Sequence, residues 1–299
     1  MSDSWTHKFS FPIPAPAERI FGALTRADEL EAWFAEHARV DARAGGGYRF
    51  WGRHTIGTPS ADEATGTLRI YEPHRRVAFD WAMLDVPSSV TFSLAPEERD
   101  GARLTRVSIE HTLEREIDRS RAREIVDDWW RFALGNLAAY CAGHGAVMRP
   151  DFGDPNPEVR LTTTIEAPPA DVFRALIEPA SLNRWIARDA TVEPRVGGRF
   201  DLGWAEAADI PHDGPAMQIL EFERDRLLAI SWPDWRGDAS VPPQRVTWIL
   251  EPEGEGTLVT LIHSGFVRTV DISDYPFGWG HFMSQMAVVA SSIDLPAEA

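Results

Sequence analysis

Two histidines stand at matching places in the chain, and histidine is the side chain that most often moves protons near neutral pH. His111 ends a Thr-x-Val-x-Ile-x-His segment, and His263 ends a Thr-x-Val-x-Leu-x-His segment. This alternation predicts that both histidines lie on the apolar face of a strand. Three roles stay open for each of them: a buried imidazole bonded to one backbone or hydroxyl partner, a polar anchor for a ligand, or a general base.

A general base needs a second group that orients it. Glu110 and Ile262 precede the two histidines and therefore point to the opposite face of their strands. No other carboxylate lies close to either histidine in the sequence. We therefore assign no catalytic residue, and we treat the histidines as candidate ligand contacts.

Aromatic residues are the second candidate feature, because the chain has twelve tryptophans, about three times an average share. Core packing explains any single one of them, whereas a ligand pocket would use several together, since indole and phenol rings combine large apolar surfaces with a polar atom. The second half adds methionines, which adapt to irregular ligands. The predicted ligand-binding residues are Tyr48, Phe50, Trp81, Phe92, His111, Trp130, Phe200, Trp204, Met217, Trp232, Trp248, His263, Trp279 and Met283.

Metal, phosphate and thiol chemistry find little support. The nine histidines are scattered and form no H-x-H or H-E-x-x-H pair, so we expect no metal site. The glycines at 45–47 precede a strand, whereas a phosphate loop precedes a helix. Cys141 is the single cysteine, and its apolar neighbours on a helix indicate an inert thiol. We predict no cofactor.

The elements that position these residues occur twice. When residues 15–48 are set against residues 167–200 without a gap, thirteen of the 34 pairs are identical, whereas unrelated sequences would share about two. The register returns at the two histidine segments. The chain is therefore a duplication, and we predict a first domain over 1–145, a linker over 146–157 and a second domain over 158–299.

Each copy shows the same order of patterns: a strand, two short helices, about six further strands and a long helix. The short helices are predicted near residues 14–34 and 168–186, and the long ones near 117–143 and from about 278 onward. Consecutive antiparallel strands curve into a grip, and the long helix must bury its wide apolar face there. The fold class is thus α+β.

These features together resemble the START-like domains of the SRPBCC superfamily, and in particular the branch named after the activator of Hsp90 ATPase. The resemblance rests on Ala-Pro-x-x-x-(Ile/Val)-Phe-x-Ala-Leu at 15–24 and 167–176, on Trp33 and Trp185, on the Gly-Gly turns at 45–46 and 197–198, and on the histidine strands. It implies two tandem helix-grip domains. In each, a curved antiparallel sheet of about six or seven strands wraps around a long C-terminal helix, accompanied by two short helices.

The first copy departs from this pattern near its end. Thr112-Leu-Glu replaces the Ser264-Gly-Phe of the second copy, and Trp129-Trp130 replaces Gly278-Trp279. We expect the closing helix of the first copy to enter its grip differently. The resemblance also implies a hydrophobic cavity between sheet and helix, and we expect the cavity of the second copy to hold the ligand.

Charge limits the range of partners. The formal net charge is −16, and nearly all of it lies after residue 150. This field would repel nucleic acid and anionic membrane surfaces, so we expect neither as a partner. The N-terminus has no basic start followed by an apolar run, which favours a cytoplasmic protein. A homodimer and a protein partner stay open.

Three functions are compatible with these observations. The first is binding of a small hydrophobic or aromatic molecule without chemistry, with His263 and a tryptophan N–H giving the ligand its direction. The second is an aromatase/cyclase-like or hydrolytic enzyme that uses the same cavity. The third is a module that interacts with a chaperone ATPase, as the resemblance implies.

Overall fold

The chain forms two compact units. The computed structural model describes residues 4–145, 147–204, 217–238 and 240–292. The described residues of 1–155 and 268–274 form the first unit, and those of 156–267 and 275–299 form the second. The division after residue 155 lies within the segment predicted as a linker, although residues 268–274 group with the first unit. The exact domain boundaries stay a prediction.

The first unit is an α+β helix-grip domain. Its main sheet has the antiparallel order β1-β7-β6-β5-β4, and β2 and β3 form a separate pair that a bridge between Gly47 and Thr67 joins to the edge near β4. The elements are β1 (Trp5–Ile13), α1 (Ala17–Thr25), α2 (Ala27–Trp33), β2 (His37–Val40), β3 (Tyr48–Trp51), β4 (Leu68–Glu72), β5 (Arg76–Met83), β6 (Val86–Arg99), β7 (Ala102–Leu113) and α3 (Ala122–Cys141).

The second unit repeats this topology, with sheet order β11-β12-β13-β14-β8 and a separate β9–β10 pair. A bridge between Arg199 and Gln218 again joins the pair to the main sheet. The elements are β8 (Val159–Ile165), α4 (Pro169–Ile177), α5 (Pro179–Trp185), β9 (Thr191–Val192), β10 (Phe200–Asp201), β11 (Ile219–Glu223), β12 (Leu227–Trp232), β13 (Gln244–Glu253), β14 (Gly256–Ser264) and α6 (Tyr275–Ala290).

The shared Gly-Gly turn has the same steric cause in both units. A Cβ on Gly46 would lie 2.1 Å from the Asp41 carbonyl oxygen, and a Cβ on Gly198 would lie 2.1 Å from that of Glu193. Only glycine allows so close an approach of two backbone segments. The turn directs β3 and β10 across the open side of each main sheet, where their inward side chains face the grip.

The closing helices begin at other residues than the sequence indicates. The first, α3, begins at Ala122 rather than near Ile117, and the residue before it, Arg121, has a left-handed backbone with φ 53°. The second, α6, begins at Tyr275, three residues before Gly278, and Pro276 occupies its first turn, where proline is well tolerated. No helix among the described residues is long and apolar enough to cross a membrane.

Candidate functional site

The histidine of the second unit is fixed by two hydrogen bonds deep inside the grip. His263 is fully buried on β14, and the Trp279 indole N–H of α6 donates to its Nδ1 across 3.0 Å. Because Nδ1 accepts a hydrogen bond, the proton of the neutral imidazole ring lies on Nε2. That Nε2 lies 2.7 Å from the side-chain oxygen of Gln244 on β13, to which it donates. Both imidazole nitrogens are thus used within the protein.

The first unit has the same arrangement with a different last partner. The Trp130 N–H donates to Nδ1 of the fully buried His111 across 3.1 Å. Nε2 of His111 donates to the Ser88 hydroxyl at 2.8 Å, and that hydroxyl donates to the Trp81 carbonyl oxygen at 2.7 Å. Each closing helix is therefore joined to its sheet through one tryptophan–histidine bond.

Burial keeps both imidazoles neutral. It lowers the pKa of His263 to about 3, and it lowers the pKa of His111 to about 3 with a smaller contribution from His7 on the neighbouring strand. A general base must have a free nitrogen and a pKa near the working pH. Neither histidine has these properties, and the arrangement joins each closing helix to its sheet.

An apolar space lies beside this histidine in the second unit. Gaps between its lining side chains amount to about 200 Å³, part of which is open to solvent, and they leave no room for a water molecule. Short helices α4 and α5 form one wall, and the strands form the other. The lining residues are Leu176, Leu182, Trp185, Ile186, Phe200, Leu202, Trp232 and Trp248.

Three of these lining residues are tryptophans, and they differ in whether the indole N–H has a hydrogen-bond partner. The Trp185 N–H donates to the Ala175 carbonyl oxygen at 2.9 Å, and the Trp232 N–H donates to the Tyr275 hydroxyl at 3.2 Å. The N–H of Trp248 is buried and has no hydrogen-bond partner among the described residues. The space therefore has apolar walls with one unused hydrogen-bond donor on a lining residue.

Aromatic rings occupy the corresponding region of the first unit. The Phe34 ring lies 5.0 Å from that of Phe50, and the Tyr48 ring lies 4.3 Å from that of Phe79. In the second unit the residues that correspond to Phe34, Phe50 and Phe79 are aliphatic: Ile186, Leu202 and Ile230. At these three positions the second unit thus has smaller side chains than the first.

The closing helices add a further difference. In the first unit the Trp129 ring packs 5.6 Å from Phe34 and 5.8 Å from Trp81. The corresponding residue of the second unit, one before the histidine-bonded tryptophan, is Gly278. A Cβ on Gly278 would meet no atom within 4 Å. The Trp–Trp to Gly–Trp change noted in the sequence is therefore a change in how the grip is filled.

The structure brings most of the predicted ligand residues of the second unit together. Phe200, Trp232 and Trp248 line the space, and His263 and Trp279 form the hydrogen bond behind it. The half-buried Trp204 ring lies 5.6 Å from that of Trp232. Two predicted residues are not among the lining side chains: Met217, which is half-buried before β11, and Met283, which is buried on α6.

The predicted residues of the first unit form one aromatic cluster. Phe50 contacts Tyr48 and Trp81, and Trp130 contacts Phe92, Trp81 and His111, with ring centroids between 5.4 and 6.3 Å apart. Each of these side chains is at most 4% exposed. They form a packed core in which every ring touches others of the set.

Sequence reasoning missed two groups of residues. The first is the part of the wall formed by the short helices and by Leu202, namely Leu176, Leu182, Trp185, Ile186 and Leu202. The identity of Leu176 and Trp185 with Leu24 and Trp33 was the signal available for them, but it indicates shared packing as much as a site. The second group is Gln244 and Ser88, which accept from the histidines. They lie on the neighbouring strand, and only the strand register shows that they are close.

Other candidate chemistry is weak in the described part of the chain. Burial raises the pKa of the Cys141 thiol to about 11, so the thiol stays protonated and unreactive near neutral pH. No group of three or more His, Cys, Asp or Glu side chains among the described residues is placed to hold a metal ion.

Comparisons with known proteins agree with this architecture. The family model described as "Activator of Hsp90 ATPase homolog 1-like protein" matches residues 14–142 and again residues 166–291. No curated protein matches the chain.

Several solved structures are similar to it. A protein of Mesorhizobium loti is 26% identical, with a TM-score of 0.38, and the match covers 46% of this chain and 99% of that one. The AHSA1-like protein of Rhizobium etli is 28% identical, with a TM-score of 0.37, over 48% of this chain and 91% of that one. The di-domain ARO/CYC BexL from the BE-7585A biosynthetic pathway is 16% identical, with a TM-score of 0.37, over 98% and 100%.

The two matches of the family model together span most of the chain and coincide with the two helix-grip units. The chain therefore belongs to the family of activator of Hsp90 ATPase homolog 1-like proteins, within the START-like SRPBCC superfamily, and carries two copies of the domain of that family.

Proposed function

We propose that the second unit binds a small hydrophobic or aromatic molecule between its sheet and its short helices. The family resemblance implies a cavity between the sheet and the closing helix, but no lining residue of the space lies on α6. The observation that carries this proposal is the apolar space lined by eight side chains, at the place where the first unit is filled by rings. Apolar burial would supply the affinity, at about 25 cal/mol per Å² of buried surface before ordering costs.

The space has no room for a water molecule, so a ligand must displace lining side chains as it enters. Ile186 and Leu202 are flexible aliphatic side chains, whereas the corresponding Phe34 and Phe50 pack edge-to-face at 5.0 Å. Trp204, which lies against Trp232, is only half-buried. These properties make the second grip easier to open than the first, and they limit the ligand to about one or two rings.

The test is a titration of the full chain with naphthalene, tetralin, indole and 1-tetralone, followed by thermal melting and isothermal calorimetry. We expect at least one compound to bind and to raise the melting temperature of the second unit. The double variant Ile186→Phe/Leu202→Phe gives the second unit the rings of the first, and it should weaken binding at least tenfold. No response from any compound, or an undiminished response in this variant, would refute the proposal.

A matched control separates the filling of the space from the mere addition of a ring. Leu220 lies on β11 and is 37% exposed, and it does not line the space. The variant Leu220→Phe should therefore bind as the unmodified protein does. The first unit indicates that the double variant can fold, because it has phenylalanine at both corresponding positions.

The two other functions from the sequence have less support. An enzyme would need two polar groups that reach a shared point, and both nitrogens of each candidate histidine are already bonded within the protein. Interaction with a chaperone ATPase is suggested by the family description, but no contact among the described residues favours it over the apolar space.

A further inference from the structure

The unused donor on Trp248 defines the ligand more narrowly. Resting on the proposed function, we infer that the natural ligand of the second unit is an uncharged ring compound with a carbonyl or comparable oxygen that accepts a hydrogen bond from the Trp248 indole N–H. The reasons come from the bonding of this indole, from the other copy, and from the walls of the space.

Trp248 differs in its bonding from four other tryptophans of its unit. It lies on β13 opposite Leu261 of β14 and is 2% exposed. The N–H groups of Trp185, Trp204, Trp232 and Trp279 all donate to acceptors within 3.2 Å. A buried donor without an acceptor destabilises a folded protein, because the donor has lost its hydrogen bonds to water. An acceptor brought by a ligand would recover this energy on binding.

The first copy shows that the fold does not need this N–H. Strand register places Phe92 opposite Ile109, just as Trp248 lies opposite Leu261, so Phe92 and Trp248 are equivalent. A phenylalanine therefore fills the same position in the same fold without a polar atom. The second unit carries an unsatisfied donor where an apolar ring would serve, and the donor lies on a residue that lines the space.

Trp129 of the first unit also has a buried N–H without a partner among the described residues. Its ring, however, is enclosed by Phe34, Trp81 and Phe152, with centroids between 5.4 and 5.8 Å away. The Trp248 ring instead borders the apolar space. Of the two, only Trp248 lines the apolar space, so its N–H is the donor that we assign to the ligand.

The walls exclude a charged ligand. All eight lining side chains are apolar or aromatic, and none carries a charge that could pair with an ion. Transfer of an unpaired ion into such surroundings is strongly unfavourable. The acceptor is therefore a neutral oxygen on a flat ring, such as that of an aryl ketone, rather than a carboxylate or phosphate.

The test compares 1-tetralone, a two-ring ketone, with tetralin, which has the same rings and no oxygen. Calorimetry gives the affinity ratio of the two compounds for the full chain and for the Trp248→Phe variant. Comparison of the two ratios cancels the different hydration of the ligands. We expect the preference for tetralone to fall about threefold to tenfold in Trp248→Phe, as the loss of one hydrogen bond requires.

Trp185→Phe is the matched control. It removes an indole from the same space, but the N–H of Trp185 already donates to the Ala175 carbonyl oxygen. We expect this variant to change the affinities for both compounds together and to leave their ratio unaltered. An equal fall in the ratio in both variants would overturn the assignment to Trp248.

A second measurement follows the Trp248 indole directly in the unmodified protein and uses a variant only to assign its resonance. In ¹⁵N–¹H spectra the Trp248 indole resonance is identified by its absence in Trp248→Phe. Tetralone should move it downfield, whereas tetralin should not. If both compounds bind and neither the ratio nor the resonance responds, the inference is wrong while the proposed function stands. If neither these nor the other compounds of the panel bind, the proposed function itself fails.

Discussion

The two units share their polar contacts and differ in their apolar filling. In both, a tryptophan of the closing helix donates to a buried histidine of the last strand, at 3.1 Å and 3.0 Å. In both, a tryptophan of the second short helix donates to a carbonyl oxygen of the first short helix. By contrast, the rings of Phe34, Phe50 and Phe79 in the first unit are exchanged for aliphatic side chains in the second. Since duplicated domains start identical, what both copies retain is what the fold needs.

The exchange also moves one ring from a helix to a loop. Trp129 on α3 covers Trp81 in the first unit, at 5.8 Å between centroids. In the second unit the helix position is Gly278, and Trp204 on the loop after β10 covers Trp232 at 5.6 Å. The residue that corresponds to Trp204 in the first unit is Gly52. A ring held by a helix is thus replaced by a half-buried ring held by a loop, which can move aside at lower cost.

The largest expected effect tests this difference in the filling. Trp129→Ala removes a 1% exposed indole from the first unit, and loss of such a side chain typically destabilises a domain by about 3–5 kcal/mol. Chemical unfolding of the full chain should show the transition of the first unit shifted to lower denaturant. The cavity left by the indole should also allow tetralin to bind the first unit. A shift below about 1 kcal/mol would show that the ring is not an essential part of this core.

Gly278→Ala is the matched change in the second unit and should have the opposite sign. Its Cβ would meet no atom within 4 Å, and replacing glycine by alanine within a helix stabilises by about 0.5–1 kcal/mol. A marked destabilisation by this variant would contradict the view that the two helix positions differ only in filling.

The second-largest expected effect is a loss of stability at low pH, which tests the polar contacts that both units share. The pKa of each buried histidine is about 3 in the folded state and near 6.5 in the unfolded chain, so between these values only the unfolded chain takes up the proton. The stability that depends on the neutral ring is therefore complete above pH 6.5 and is lost as the pH falls toward 3. Each unit should lose on the order of 1 kcal/mol per pH unit from this source.

Carboxylates titrate over part of the same range, so the histidine contribution requires a comparison. His111→Gln and His263→Gln each remove one titrating ring from one unit. Between pH 6.5 and 4.5, the unfolding free energy of the altered unit should fall less than that of the unmodified unit, by about 2 kcal/mol. Urea unfolding at several pH values measures this. Parallel pH profiles for variant and unmodified protein would contradict neutral burial of the histidines.

Much of the fold could be predicted because the sequence contains the same domain twice. The ungapped match of residues 15–48 with 167–200 separates fold requirements from local accidents, and the Gly-Gly turn is one such requirement. The predicted start of α3 near Ile117 was wrong. The charged residues at 114–121 have helical spacing, but the helix begins only at Ala122, after the left-handed residue Arg121. Local spacing does not reveal where the backbone reverses.

The site could be predicted only in part, since its features depend on register. Phe200, Trp232 and Trp248 were found because aromatic residues at alternate strand positions stand out in the sequence. Gln244 lies 19 residues from His263 and becomes its partner only through the pairing of β13 with β14. No pattern in the sequence distinguishes the unpaired N–H of Trp248 from the paired ones, because pairing depends on where the neighbouring carbonyl oxygens lie.

The smallest expected effect should be the same in both units, and this makes it a test of their shared frame. The Thr105 hydroxyl donates to the Ala15 carbonyl oxygen at 2.7 Å, and the Thr257 hydroxyl donates to the Ala167 carbonyl oxygen at 2.7 Å. Both threonines are buried. Valine has nearly the shape of threonine and lacks the hydroxyl, so each change to valine removes one hydrogen bond and little packing.

Thr105→Val and Thr257→Val should each destabilise their own unit by about 1 kcal/mol. Unfolding of the full chain, with the two transitions resolved, gives both values in one experiment, and each variant serves as the control for the other. Equal losses mean that the last strand is held to the start of the first short helix by the same contact in both copies. A loss in one unit alone would mean that the polar frame has diverged along with the filling, and the contrast between constant frame and variable core would no longer hold.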